Sequence, residues 1–428
     1  MMEYGRNLVG FLSGGCLPAA AAVLLALSGG VLPTGPAAAG EQVEVDGLLH
    51  IRNDATPSEG RTTVELEELW RIGGADSEEI FGLISQVETD EDGNVYLLDS
   101  QLSEVKVYSP DGEYLKTLSR EGEGPGEVRQ PNDMVLLPDG TLGLAQTFPG
   151  KIVKIDLEGN PAGSLTLGGA DPTQGGFVVL LDASSRAGNL VLAGVKIGQS
   201  DQPGVQLRTN FLSRYSLDGE ELVTYLEKPA TLDFTDLVID EEEQYFVFPR
   251  RWSIGPDGRV FAAAQRDAYA IHVYREEGAL DRVIEREFTP RKRTAEELER
   301  INAVIEVQTA QLPGEARSSV GETEVAIVGM RVARDGSLWV VSSRGNFEQP
   351  EGVMLTYDVF DPEGHFKRQI SMACEGDGAE DWLLFPGEDR AFLIKGLIDA
   401  AVAMQGAGAG GDEDAMPMEV VCYKVPEI

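Results

Sequence analysis

Residues 90–118 read DEDGNVYLLDSQLSEVKVYSPDGEYLKTL, in which Asp-Gly turns separate short alternating β-runs. The same arrangement returns at 137–167 (LPDGTLGLAQTFPGKIVKIDLEGNPAGSLTL) and at 255–288. From Gly93 to Gly112 is 19 residues, and the other two copies keep nearly the same interval. Gly supplies the positive φ of such turns and Asp bonds its own backbone, so each copy predicts antiparallel strands joined by tight turns. Repetition at a fixed period indicates a repeat architecture.

Six such units follow one another and predict an all-β, six-bladed β-propeller. They cover 81–118, 132–167, 175–226, 246–288, 327–372 and the chain from 382 onward. The sixth unit lacks an outer strand, whereas residues 62–71 (TTVELEELWR) alternate like an isolated strand. If this N-terminal strand completes the last blade, the ring closes without a raw sheet edge. A β-sandwich is the alternative, but it explains neither the internal similarity nor the missing strand.

The first 39 residues differ from the rest and predict a signal peptide. Arg6 precedes an apolar stretch over 17–27, and small residues follow at 37–40, which is the order of a secretory signal. The stretch is short and is interrupted by Gly and Pro, so a retained membrane anchor is the lesser alternative. A linker is expected over 40–61 and the propeller over 62–428. The protein is therefore expected to be secreted or periplasmic, without membrane insertion once the signal is removed.

The charge balance limits the classes of partner. The chain has 35 basic and 72 acidic residues, a formal net charge of −37. Nucleic acids and anionic membranes need a basic surface, so neither is expected as a partner. A monomer is expected. Two cysteines remain after the signal, Cys374 and Cys422, and they form either a disulfide in an oxidising compartment or two buried thiols.

One segment departs from the strand pattern and predicts a helix. Residues 294–308 (TAEELERINAVIEVQ) begin with a capping box of Thr294 and Glu297. Apolar residues then recur at helical spacing, at Leu298, Ile301, Val304 and Ile305. The helix belongs to an insertion over 289–325, between blades four and five. Its apolar stripe is expected to dock on the propeller.

The repeat resembles a known family. The form DGNVYLLD, then VKVYSPDG and REGEGPGE (120–127), looks like the bacterial six-bladed β-propeller proteins related to NHL-repeat domains. The resemblance covers about residues 62–428, and it implies mainly a fold, because many such proteins are exported and have no assigned activity. Related propellers also include lyases and lactonases, which need a metal in the channel.

Candidate binding residues follow from the geometry of a propeller. The A–B and C–D turns are short, so the long connections, such as 198–208 and 228–245, share the opposite face, where binding sites usually lie. Arginines and one tryptophan gather near that face in blades four and five, and they suit an anionic ligand: Arg250, Arg251, Trp252, Arg266, Arg331 and Arg344. The alternative is that these arginines pair with nearby acids: Asp267 and Glu241 to Glu243.

Enzymatic alternatives have less support in the sequence. The three histidines, His50, His272 and His365, fall away from the predicted binding face and share no short spacing, which argues against a histidine metal site. A calcium site using Asp99, Asp133 or Asp267 has no motif behind it. Trp252, Phe248 and Phe246 form either a ligand platform or core between blades.

The sequence therefore predicts a binding module, with no cofactor or metal assigned. Its partner is expected to be a small anionic ligand, a peptide or another exported protein on the loop-rich face. A metal-dependent hydrolase or lyase, with calcium in the central channel, is the alternative. Whether the protein is an enzyme stays open, with the balance against it.

Overall fold

The computed structural model describes residues 40–426 except 76, 78, 168–175, 310–315, 399 and 402–416. The predicted signal peptide, 1–39, lies outside the described residues. Within the described part of the chain, no helix is long and apolar enough to cross a membrane. Six sheets of four to six strands form a six-bladed β-propeller, as the repeat predicts.

Four strands precede the first blade and lie on the outside of the ring. They are β1 (Glu41–Val45), β2 (Leu48–Asn53), β3 (Arg61–Glu65) and β4 (Glu67–Gly73). We call residues 41–73 the N-terminal belt. Its strands join three different blades, which are described below.

Blades one to three each contain four consecutive antiparallel strands. Blade one has β5 (Ile84–Thr89), β6 (Val95–Asp99), β7 (Glu104–Tyr108) and β8 (Tyr114–Leu118). Blade two has β9 (Pro131–Leu136), β10 (Leu142–Gln146), β11 (Lys151–Ile155) and β12 (Pro161–Thr166). Blade three has the long strands β13 (Phe177–Arg186), β14 (Asn189–Gln199), β15 (Val205–Tyr215) and β16 (Glu221–Asp233).

The connection to blade four holds β17 (Val238–Asp240) and the short helix α1 (Glu241–Gln244). Blade four has β18 (Trp252–Ile254), β19 (Val260–Ala262), β20 (Ala270–Tyr274) and β21 (Leu280–Arg286). The insertion follows, with α2 (Ala295–Thr309) and β22 (Arg317–Ser319), and β22 pairs with β17.

Blade five has β23 (Ile327–Val332), β24 (Leu338–Ser342), β25 (Leu355–Phe360) and β26 (Phe366–Ala373), with the one-turn helix α3 (Ser343–Phe347) after β24. Blade six takes three strands from the end of the chain, β27 (Trp382–Leu384), β28 (Arg390–Lys395) and β29 (Glu419–Lys424).

The belt supplies the strand that blade six lacks. Strand β4 pairs antiparallel with β29 and forms the outer strand of that blade. The single strand expected over 62–71 is, however, two strands, because the chain passes from blade five to blade six at Leu66. Strand β3 pairs parallel with β26. Val64 and Leu66 are buried, but the three residues from Glu67 to Leu69 are all exposed, so the alternation stops where the chain changes sheet.

The prediction of a linker over 40–61 is wrong. Residues 41–53 form a hairpin that turns at Asp46 and Gly47, both at positive φ. Strand β2 then pairs parallel with β21, so that blade four has six strands. These strands lie at an outer edge where many side chains face water. Their polar composition therefore resembles that of a linker.

Buried belt residues fix the hairpin to blades four and five. Ile51 is 2% exposed. The Asn53 side-chain amide donates to the carbonyls of Glu285 and Gly364, and its oxygen accepts from the Phe366 amide at 2.8 Å. These bonds satisfy a buried polar side chain on both blades at once, and they make the belt part of the folded unit.

The turns and the insertion form as the sequence predicts. Gly93 and Gly112 have φ values of 80° and 83°, the region that favours glycine. At the start of α2, the Thr294 hydroxyl accepts from the Glu297 amide and the Glu297 carboxylate accepts from the Thr294 amide, which completes the capping box. Ile305 packs against apolar residues beside the end of blade three, and Val304 lies outside the described side chains.

The structure has Cys374 and Cys422 as free thiols. Cys422 packs in the cluster that contains residues of blades one and six, whereas Cys374 packs against the cluster between blades five and six. The two side chains therefore occupy different cores. Burial raises the pKa of each thiol to about 12, so neither is a ready nucleophile near neutral pH.

We expect Ile51→Ala to lower the free energy of unfolding by about 2–5 kcal/mol, because it leaves a cavity beneath the belt. Leu49→Ala, at a position 37% exposed in the same strand, should change it by no more than about 0.5 kcal/mol. Urea unfolding of the two variants measures the difference. Equal effects would contradict the docking of the belt on blade four.

Candidate ligand-binding channel

The first strands of neighbouring blades contact one another around the ring axis. They enclose a central channel with a cavity volume of about 620 Å³, within the usual size of small-molecule sites. All six blades contribute to its wall. The charged and aromatic residues of its lining are Glu88, Asp133, Asp182, Arg186, Arg250, Arg251, Trp252, Arg331, Arg334, Tyr357, Asp381, Trp382, Phe385 and Glu388, and its polar residues include Gln86 and Asn132.

Arg250 lies just before β18 and is held by three other blades. Its amide donates to Asp182 of blade three, and its carbonyl accepts from the Met330 amide of blade five at 2.9 Å. Its guanidinium lies 4.8 Å from the centre of the Trp382 ring of blade six and donates to the Leu383 carbonyl. Arg250 has a φ of 61°, which costs a non-glycine residue backbone strain.

No carboxylate lies within ion-pair distance of the Arg250 guanidinium among the residues that the structure describes. Burial lowers the pKa of Arg250, and the nearest titratable groups that oppose this are Tyr357 and Asp182. An arginine without an ionic partner is unexpected in a chain with 72 acidic residues. It leaves planar N–H donors facing the channel.

Two carboxyl groups lie side by side near Arg250. Asp182 accepts from the Trp252 indole N–H at 2.7 Å. Asp133 accepts from the Gln86 amide at 2.9 Å and from the backbone of Ala183 at 2.7 Å. Burial, together with the charge of Asp182, raises the pKa of Asp133 well above its usual range, and burial also raises the pKa of Asp182. Adjacent carboxyls with little access to water cannot both ionise cheaply, so the pair favours holding one proton between them.

Two further polar groups of the channel lack partners. Burial raises the pKa of Glu88 to about 8, although the side chain keeps part of its surface open to the channel. The side-chain oxygen of Asn132 is buried without a hydrogen-bond partner within the described structure, while its nitrogen donates to the Leu181 carbonyl. Unpaired polar groups of this kind are costly in a folded protein, and they commonly mark ligand positions.

The structure does not bring all the predicted arginines to one rim. Arg250, Arg251 and Arg331 line the channel, but the Arg251 guanidinium turns away to the carbonyls of Phe246 and Phe248. Arg331 lies near the end of β23, on the side of the short A–B turns, and pairs with Glu388 at 3.1 Å. Its charge is therefore already paired, whereas that of Arg250 is not.

Arg266 and Arg344 are occupied elsewhere. Arg266 is buried and pairs with Glu241 at 3.1 Å and with Asp267 at 2.5 Å, which is the structural alternative that the sequence left open. Arg293 of the insertion binds the same Glu241 carboxylate at 2.6 Å. Arg344 is exposed and pairs with Glu348. These ion pairs attach the insertion and the outer loops to the ring.

The aromatic residues and the carboxylates that the sequence offered as alternative sites also lie in different parts of the structure. Phe246, Phe248 and Trp252 are core residues between blades three and four, and of these Trp252 also lines the channel. Asp99 is buried and accepts backbone N–H groups from its own blade, so it does not join Asp133 in a calcium site. Within the described residues, no three His, Cys, Asp or Glu side chains are grouped to hold a metal ion.

Sequence reasoning missed Asp182, Glu88 and Trp382. Each lies on the first strand of its blade. The signal that could have found them is a polar or aromatic residue in an innermost strand, at a position whose side chain faces the axis. That signal depends on knowing which residues of a strand point inward.

Comparison with known proteins agrees with the fold. A family described as a 6-bladed beta-propeller matches residues 75–168, which is blades one and two only. No curated protein matches the sequence.

Solved structures of other propellers are similar at low identity. A protein from Bacteroides vulgatus has 12% identity and a TM-score of 0.49, and the match covers 85% of this chain and 99% of that chain. A protein from Bacteroides fragilis described as exported has 9% identity and a TM-score of 0.45, covering 88% and 100%. Regucalcin from Agrobacterium tumefaciens, a calcium-binding protein, has 10% identity and a TM-score of 0.40, covering 86% and 97%.

The raised pKa of Glu88 predicts a pH-dependent stability. Between about pH 4.5, its usual pKa, and about pH 8, the folded protein keeps a proton that the unfolded chain has lost. The free energy of unfolding therefore falls as the pH rises through this window and levels off above it. Glu88→Gln stays neutral, so we expect it to gain about 1–2 kcal/mol over the original protein by pH 8.5 and little at pH 4.5, since channel water screens part of the cost.

Urea unfolding at several pH values measures this difference. Glu91→Gln makes the same chemical change on the exposed turn of blade one and is the matched control. If Glu88→Gln and the original protein give parallel curves from pH 4.5 to 8.5, Glu88 does not titrate in the channel.

Proposed function

We propose that this propeller is a binding protein whose channel accepts a small anionic molecule, with Arg250 as the anchor. The observation that supports the proposal best is the half-buried guanidinium of Arg250, which has no ionic partner among the described residues and is held at a strained φ by contacts to three other blades. Strained backbone conformations that the surrounding structure holds in place cluster at binding sites. Localisation outside the cytoplasm is part of the proposal, and it rests on the signal-peptide pattern of residues 1–39.

The channel can recognise such a ligand through three kinds of contact. Arg250 offers parallel N–H donors that match a carboxylate or a phosphate. Trp382 and Trp252 offer flat surfaces for the body of the ligand. The protonated member of the Asp133–Asp182 pair can donate a hydrogen bond, and the free oxygen of Asn132 can accept one. A small molecule fits this site better than a peptide or a protein, because the unpaired groups lie inside the ring.

We expect Arg250→Gln to weaken the binding of small anions at least about tenfold, because a charged hydrogen bond is lost. Its stability should not fall, since a buried cation without an ionic partner is removed. Fluorescence titration with succinate, inorganic phosphate and glucose 6-phosphate measures binding, because two of the four tryptophans line the channel. Arg344→Gln, outside the channel, is the control.

Two outcomes would argue against the proposal. If no probe gives a saturable signal with the original protein, the channel does not accept small anions of these classes. If Arg250→Gln instead unfolds several degrees earlier, Arg250 is a strut between blades and its charge has a structural role.

A hydrolase or lyase is the second candidate, because Asp133 and Asp182 form a carboxyl pair with raised pKa values, which suits acid–base chemistry. Calorimetric titration with Ca²⁺ separates the candidates. If the site is a calcium enzyme, binding is stoichiometric and Asp182→Asn weakens it at least about tenfold. If the protein is an anion-binding module, EDTA leaves the affinity for the anion unchanged.

A further inference from the structure

A second cavity lies beside blade three, outside the channel. The strands of this blade have 10, 11, 11 and 13 residues, whereas no strand of the other blades exceeds 8. The extended part of β14 to β16 faces the connection that contains β17 and α1. Between them is a cavity of about 430 Å³. We call it the blade-three pocket.

The register of blade three places two cationic side chains next to each other in this pocket. Arg208 and Asn210 are two residues apart on β15, so they lie on the same face. Lys228 of β16 stands directly opposite Asn210, and directly opposed side chains share a face and touch. The same face continues to Leu212, which packs in the core between blades three and four. Arg208, Asn210 and Lys228 therefore lie on the same face of blade three as the core residue Leu212.

The two cations have no ionic partner. The Arg208 Nε donates to the Gln206 side chain at 2.8 Å, and the Lys228 ammonium donates to the Tyr245 carbonyl at 3.0 Å. No carboxylate is within ion-pair distance of either group in the described part of the chain. Burial lowers the pKa of Arg208 to about 10 and also lowers that of Lys228, a shift that the charges of Glu243 and Asp240 in the pocket wall oppose. The terminal nitrogens of Arg208 remain free to bind.

The remaining wall suits a compact organic body. Its apolar part consists of Val195, Pro229, Ala230, Leu232, Val238 and Phe248. The Gln244 side-chain oxygen is buried without a hydrogen-bond partner among the described residues, so one more polar contact is available. A planar guanidinium with two free nitrogens matches the two oxygens of a carboxylate, and a lysine beside it adds a second charge–charge contact.

We propose that the blade-three pocket binds a small monocarboxylate, with Arg208 and Lys228 holding the carboxylate and the apolar wall holding its hydrocarbon body. The pocket is a site separate from the channel. Phe248 lines the pocket, whereas Pro249 and Arg250, the next residues, line the channel. The two sites thus lie on opposite sides of one short segment, and each can be tested without altering the other's charged residue.

Isothermal titration with benzoate, hexanoate and the uncharged benzamide tests this proposal. We expect saturable binding of at least one carboxylate, no binding of benzamide, and at least a tenfold loss of affinity in Arg208→Gln. The carboxylate affinity of Arg208→Lys should fall between those of the original protein and Arg208→Gln, since lysine keeps the charge but loses the planar fork. Lys228→Met, which keeps the apolar stem, should also weaken binding. Arg250→Gln should leave this affinity unchanged, because Arg250 belongs to the channel.

Several results would overturn the proposal. These are an absence of saturable binding of both carboxylates, an affinity unaffected by Arg208→Gln, or tighter binding of benzamide than of benzoate. If inorganic phosphate displaces hexanoate at a lower concentration than benzoate does, the pocket is an anion site of different chemistry. Carboxylate binding that is lost in Arg250→Gln and kept in Arg208→Gln would place the ligand in the channel. Thermal unfolding without ligand confirms that each variant is folded.

Discussion

The closure of the ring depends on one set of backbone contacts, the pairing of the N-terminal belt with the last three blades. Strand β4 completes blade six, and it joins the start of the described chain to its end. Strands β2 and β3 cover the outer edges of blades four and five. An open sheet edge would leave a row of unpaired N–H and C=O groups. Half of the ring therefore owes its outer surface to residues 41–73.

A closed ring also determines the character of the channel. Six innermost strands converge on one axis, so every inward side chain has neighbours from other blades and little bulk water around it. Charged groups in such a place shift their pKa values or find partners. Burial and the neighbouring Asp182 raise the pKa of Asp133. The Arg251 guanidinium donates to backbone carbonyls, and that of Arg331 pairs with Glu388. Arg250 and Arg186 have no carboxylate within ion-pair distance among the described residues. Arg186 donates to the carbonyls of Ile254 and Val332, whereas the Arg250 guanidinium makes one long hydrogen bond, to Leu383.

The fold could be predicted because its signal is local and repeated. Glycine turns recur in the repeated units, about 20 residues apart in blades one, two and four, and all six predicted units correspond to observed blades. The belt was misassigned because its partner strands in the blades lie hundreds of residues away, and because the hairpin signal of Asp46 and Gly47 was not used. Arg250 and Trp252 were correctly placed near the channel. The pairing of Arg266 with Glu241 and Asp267 was left open as an alternative, whereas Arg293, which shares Glu241, was not foreseen because it lies in the insertion. The blade-three pocket was also missed, because β14 to β16 continue through residues that were expected to be loops.

The belt has a consequence for the order in which the chain can fold. Residues 41–73 are synthesised before every blade, yet their partners in β21, β26 and β29 lie more than 200 residues further on. Contacts of such long sequence separation form late and slowly. Blades one to three can assemble early from consecutive strands, but the ring cannot lock until the last strand has been made. In a nascent chain of this protein, β2 can therefore pair with β21 only after residue 286 and β3 with β26 only after residue 373, and the ring stays open until β29 has been made.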